Sequence, residues 1–181
     1  CVIFLQNTRC FTMTHVCTYQ SGSKNQAGIL HYDLPDNDFL LCLYNTFVDS
    51  LVGSTGSSCI IYATKGNQYY RCNNLTGSEH RGYHFNLPKC FSFGLSTTMK
   101  CNGECFQLSM NNQNDGIVLT DKKVEMSNFF NNANYLFEFQ GTCSITFSFI
   151  QCVLLNEKQD QPFFYINQNN EIKIKVQNCI I

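Results

Sequence analysis

Tryptophan is absent, proline occurs only three times and charged residues make up just 14% of the 181 residues. Soluble domains carry about a quarter charged residues, so polar duty here passes to Asn, Gln, Ser and Thr, as at 111–114 and 167–170. A formal net charge of −1 offers no long-range field to nucleic acid or an anionic membrane, so neither is an expected partner. No apolar run reaches the roughly 18 residues that a membrane-spanning helix needs. The chain shows no leader ahead of Cys1 and reads as a mature form. It also lacks a G-x-S-x-G elbow, an H-E-x-x-H pair and a P-loop. His15, His31, His80 and His84 form no recognisable catalytic pattern, and the expectation is a protein that is not an enzyme.

Cysteine, by contrast, is abundant. Twelve occur, at 1, 10, 17, 42, 59, 72, 90, 101, 105, 143, 152 and 179. Their spacing lacks the paired C-x-x-C knuckles of a zinc framework. An even number spread over the whole chain predicts a disulfide-stapled extracellular domain, each bridge contributing about 2–4 kcal/mol. The sequon Asn74-Leu75-Thr76 agrees with a secreted glycoprotein.

Hydrophobic residues alternate with polar ones at period two. Ile172, Ile174 and Val176 share one face; Phe137 and Phe139 alternate with Leu136, Glu138 and Gln140; Phe147 and Phe149 do the same. Further strands are expected over 28–32, 39–44, 60–64, 68–72, 82–87, 91–95, 105–110, 117–120 and 163–167, where aromatic and β-branched residues concentrate. Turn clusters at 20–25, 34–38, 52–58, 111–116 and 157–161 separate them, and 127–133 has room for one helical turn. No linker or internal repeat divides the chain, so residues 1–181 read as one all-β domain. Its expected form is two curved antiparallel sheets, an open barrel or sandwich.

Three constellations carry chemistry. His80 and His84 followed by Cys101 and Cys105 resemble a metal set, but residues four apart on a strand lie roughly 13 Å from each other, and disulfides explain the cysteines better. Asp33, Asp36 and Asp38 gather carboxylates at a proline turn, a candidate calcium site whose plain alternative is a solvated turn. Sixteen Phe and nine Tyr supply an aromatic interior. Among them Phe91, Phe93, Phe137, Phe139, Phe147 and Phe149, together with Leu95, are candidate linings for an apolar cavity between curled sheets.

A family resemblance attaches to scattered segments. The run 19–33, from Tyr19 through Gly28-Ile-Leu-His-Tyr-Asp33, resembles the opening strands of ependymin-related proteins, and 60–72 resembles that family's strand ending in a cysteine. Val124-Glu-Met-Ser127 followed by Tyr135 and Cys143 is similar to its V-x-x-W … Y … C stretch, with Ser127 standing where Trp is usual. Residues 163–179 resemble its closing strand. Residues 73–120 match nothing in the family, and half of the cysteines are additions to its pattern. The resemblance implies a secreted or lysosomal protein with a lipoprotein-carrier-like fold around a deep hydrophobic pocket. It also implies lipid binding, calcium association, cell adhesion and dimerisation, and pairs Cys1 with Cys143 and Cys72 with Cys179.

The sequence therefore predicts a secreted, non-catalytic carrier that buries a fatty acid or lipid, with no cofactor other than candidate calcium. The alternative is an adhesion or recognition ectodomain that binds protein or glycan through its surface, where Tyr135, Glu138 and Arg81 are candidate sugar contacts. Its Asn-, Gln- and Tyr-rich surface suits adaptable polar contacts.

Overall fold

The computed structural model describes residues 3–6, 8–20, 27–35, 37–49, 59–77, 81–86, 90–99, 105–110, 121–131, 135–141, 144–157, 160–167 and 172–181. Its strands form three sheets. The first holds β1 (Ile3–Gln6), β4 (Ala27–Asp33), β7 (Cys59–Thr64), β10 (Arg81–Asn86), β13 (Phe106–Met110), β16 (Phe137–Gly141) and β19 (Phe164–Asn167). The second holds β2 (Cys10–Thr14), β5 (Phe39–Leu43), β8 (Asn67–Arg71), β11 (Cys90–Gly94), β14 (Lys122–Glu125), β17 (Ile145–Ile150) and β20 (Ile172–Gln177). The third is built from shorter strands: β3 (Cys17–Tyr19), β6 (Thr46–Val48), β9 (Asn74–Thr76), β12 (Thr97–Met99), β15 (Asn128–Asn131) and β18 (Val153–Asn156).

Each strand pairs with the one three elements away, in parallel and mostly in unbroken register. The chain thus coils through the sheets in turn and rises one strand spacing per coil. This is a parallel β-solenoid, and it overturns the expected pair of curved antiparallel sheets, whether barrel, sandwich or lipoprotein-carrier-like. The architecture implied by the ependymin resemblance goes with it. The expected helical turn at 127–133 is also replaced, by strand β15 over Asn128–Asn131. The expected strand at 117–120 lies outside the described residues.

Why the chain can turn between the second and third sheets is visible at one recurrent corner. His15, Tyr44, Cys72, Leu95, Met126, Gln151 and Asn178 all have φ between 47° and 56°. A left-handed residue bends the chain sharply while its N–H still reaches the next coil: Tyr44 N donates to Arg71 O at 3.1 Å, and Leu95 N to Glu125 O at 3.1 Å.

After six of these seven bends the next residue joins a polar ladder, and after the first, at His15, Val16 N donates to its end, Asn45 Oδ1, at 3.0 Å. Asn45 Nδ2 donates to Asn73 Oδ1 at 2.9 Å and to Met13 O at 3.1 Å; Asn73 Nδ2 donates to Cys42 O at 2.9 Å. Asn73 N donates to Ser96 Oγ at 3.1 Å, and Ser96 N to Ser127 Oγ at 3.3 Å. Cys152 and Cys179 continue the series, with Cys152 N donating to Cys179 Sγ at 3.3 Å. Ser127, which the family resemblance set in a tryptophan's place, is a rung of this ladder. Buried corner backbone needs partners, and these short polar side chains supply them.

Inside, aromatic rings fill the space between the sheets. Phe85 meets Phe91 at a tilt with 4.7 Å between centroids, Phe129 meets Phe137 at 4.8 Å, and Phe137 meets Phe149 at 4.7 Å. Fully burying each such ring contributes about 1.5–3 kcal/mol, so the interior supplies much of the driving force.

Among the described residues no disulfide staples this fold. Cys10, Cys17, Cys42, Cys72, Cys152 and Cys179 are free thiols, and Cys59 and Cys105 lie buried in the interior. Cys72 and Cys179 therefore do not form the pair the resemblance implied; Cys1 and Cys143 lie outside the described residues. Burial explains the Cys42 thiol, whose pKa is pushed far up, as it is for Cys59. Hydrogen-bonded rungs and packed rings, rather than cross-links, hold the described residues together.

Candidate functional site on the outer face of the first sheet

Parallel register turns single residues into columns. On the outer face of the first sheet, one column reads Phe4, His31, Tyr62, His84, Gln107, Glu138, Tyr165. The column two residues further along each strand reads Gln6, Asp33, Thr64, Asn86, Ser109, Gln140, Asn167. The first is dominated by rings and the second by amides and hydroxyls.

Rings contact from coil to coil because strands in a sheet lie about 4.8 Å apart. Phe4 and His31 have centroids 4.7 Å apart, His31 and Tyr62 4.8 Å, and Tyr62 and His84 4.9 Å. Phe4 is 59% exposed at one end of the column. At the other end Tyr165, 40% exposed, stacks on Tyr135 at 4.8 Å.

Between these aromatic ends lies a polar network. Arg81, which opens β10, donates from Nη1 to Gln107 Oε1 at 3.0 Å and places Nη2 3.4 Å from Glu138 Oε2. Gln107 Nε2 donates to Glu138 Oε2 at 2.8 Å, and Gln140 Nε2 to Glu138 Oε1 at 2.6 Å. A carboxylate buried this deeply requires such compensation. Glu138 thereby fixes the half-buried Arg81 guanidinium on this face.

His84 Nε2 lies 3.1 Å from Ser109 Oγ. Burial, reinforced by the nearby Arg81 charge, lowers the His84 pKa to about 4. His31 is also lowered, by burial first, against the opposing pull of Asp33. Burial raises the Tyr62 hydroxyl pKa, and a side-chain hydrogen bond with Asn86 partly offsets it. At neutral pH the His31, Tyr62 and His84 rings are uncharged.

Compared with family models, curated proteins and solved structures, the chain matches none. Its own geometry has to carry any reading of function.

The residues singled out from sequence are distributed unevenly. Phe91, Phe93, Phe137, Phe139, Phe147 and Phe149 are buried and in ring contact with other core aromatics, while Leu95 sits 46% exposed on a left-handed corner. Asp33 joins the outer hydroxyl and amide column. Asp38 belongs to the corner leading into β5, where its carbonyl accepts from Asn67 N at 2.8 Å and its N–H donates to Pro35 O at 3.2 Å. Asp36 lies outside the described residues, and among those described no group of three or more His, Cys, Asp or Glu is placed to hold a metal ion. Asn74 of the sequon is exposed on β9. Arg81 and Glu138 are brought together, and Tyr135 stands at the end of the same face. Sequence reasoning missed His31, Tyr62 and His84 as a set; their common position in strands of similar pattern was the available signal.

Proposed function

We propose that this chain is a non-catalytic recognition module that binds carbohydrate across the outer face of its first sheet. The observation carrying this reading is the side-by-side run of an aromatic column and a hydroxyl and amide column on one outer face. Sugar rings present C–H faces that pack on aromatic rings and hydroxyls that both donate and accept hydrogen bonds. The paired columns set a ring beside an amide, hydroxyl or carboxylate on five of the seven coils; on the other two stand Gln107 and Glu138, which are buried. Arg81 adds fixed donors at the centre. Binding rather than chemistry is supported by His84, a weak base at neutral pH with its pKa near 4.

This reading replaces the lipid carrier, because the phenylalanines assigned to a lining make their contacts with one another. We retain an extracellular location in the proposal on the exposure of Asn74 alone; a mass decrease on enzymatic release of N-glycans tests that part. Glycan-array screening of the whole chain, with Tyr62→Ala and Arg81→Ala in parallel, tests the binding. Signal for one group of saccharides that both variants lose, while keeping the wild-type circular dichroism, is the expected result. Absence of binding to any saccharide, or binding indifferent to both variants, refutes the reading.

A further inference from the structure

We propose that the ligand of this face is a neutral, unbranched polysaccharide chain lying along the solenoid axis. The inference rests on the binding face proposed above and narrows it by charge and shape.

The charge argument runs through the two columns. Asp33 and Glu138 are their carboxylates, and neither column contains Lys or Arg. Glu138 is already paired with Arg81. An acidic polymer needs a row of cations, preferably with open guanidinium forks. The face offers one guanidinium, with Nη1 committed to Gln107 and Nη2 to Glu138. A cationic polymer would find Asp33 as its sole unpaired carboxylate on these columns. The remaining groups are rings, amides and hydroxyls, which complement a neutral ligand.

Shape gives the direction. From Phe4 to Tyr165 the column climbs six strand spacings, about 29 Å at about 4.8 Å each. Rings occupy the first four coils without a gap and return at Tyr165 beside Tyr135, while Gln107, Ser109 and Glu138 between them are buried, so a ligand spanning the face is gripped at its two aromatic ends. A surface that repeats along one axis matches a ligand that repeats along one axis. An extended peptide is the weaker fit. Peptides that add to sheets bind at an edge through main-chain hydrogen bonds, whereas the interior strands of this face already share theirs with neighbouring coils.

Isothermal titration of the whole chain with cellohexaose, cellotriose, chitohexaose and hexagalacturonate decides the matter. The expected result is that a neutral hexamer binds at least about tenfold more tightly than its trimer, equivalent to about 1.4 kcal/mol. Its affinity should change by less than about twofold between 0.05 and 0.5 M salt, since no charge pairing is screened. Phe4→Ala and Tyr165→Ala remove exposed rings at opposite ends, so each should shrink the hexamer-over-trimer advantage while leaving trimer affinity within about twofold, as expected for contacts made only by the longer chain. Preference for hexagalacturonate with steep salt dependence overturns the inference yet leaves a carbohydrate-binding face. Equal affinity for trimer and hexamer overturns the axial placement. Failure of all saccharides, with capture of extended peptides instead, overturns both this inference and the proposed function.

Discussion

Replacing Asn73 by alanine removes the centre of the internal ladder. Asn73 is fully buried; its Oδ1 accepts from Asn45 N at 3.1 Å and from Asn45 Nδ2 at 2.9 Å, and its Nδ2 donates to Cys42 O at 2.9 Å. The variant leaves two donors and a carbonyl without their partner in the interior. Each such group costs about 1–3 kcal/mol. Asn45 Nδ2 keeps its bond to Met13 O, so the lower end applies there. The sum is about 3–7 kcal/mol, a large share of the roughly 5–15 kcal/mol by which domains are stable. In urea, with a slope near 2 kcal/mol/M, the unfolding midpoint should fall by about 1.5–3.5 M. Asn74→Ala, one residue along but exposed, should stay within about 0.5 kcal/mol of wild type. Should Asn73→Ala cost under about 1 kcal/mol at unchanged slope, the ladder does not hold the corners and the reasoning fails.

Other expectations follow from the same geometry. The His84 pKa is lowered to about 4 in the fold, so the unfolded chain binds the extra proton first; stability is lost as pH falls below about 6.5, by about 3 kcal/mol at pH 4. Urea melts at pH 7, 5.5 and 4 should show His84→Gln losing this part of the slope. Leu95→Asn relieves a left-handed, exposed position (φ 52°) and should raise stability by about 0.5–1 kcal/mol in the same assay. Gly77→Ala should be destabilising by about 1 kcal/mol or more, because φ is +71°, a left-handed conformation that a Cβ strains. Iodoacetamide should label Cys10 and Cys17 in the folded protein and Cys42 only after unfolding, read by peptide mass spectrometry.

The longer strands were legible and their arrangement was not. Period-two alternation located β17 and β20 because the solenoid keeps one face dry and leaves the other wet. That condition also misled. Parallel strands usually lie between helix layers and read as continuous apolar runs, whereas alternation is the habit of antiparallel sheets. Among the described residues no helix covers the outer faces, so parallel strands carry an antiparallel signature. The strands of the third sheet went unseen because three or four residues, such as Thr46–Val48 or Thr97–Met99, are too short for a pattern. The coil repeat stayed hidden because its ladder position is filled variously by Asn45, Asn73, Ser96, Ser127, Cys152 and Cys179. What these share is a short side chain that can accept a hydrogen bond, and sequence identity does not report that. Reading Cys152 and Cys179 as cross-link halves followed from counting thiols without the register. Arg81 and Glu138 were identifiable as polar contacts, but only the pairing of β10, β13 and β16 places them on one face with His84 and Tyr62.

The register itself can be read in solution. Nuclear Overhauser spectra of the isotope-labelled chain should connect the Tyr62 ring to both His31 and His84, in keeping with centroid separations of 4.8 and 4.9 Å on either side. They should also lack the close Hα–Hα contacts of antiparallel neighbours throughout β4, β7 and β10. Strong Hα–Hα cross-peaks between those strands, with Tyr62 touching neither histidine, would contradict the solenoid and dissolve the face built on it.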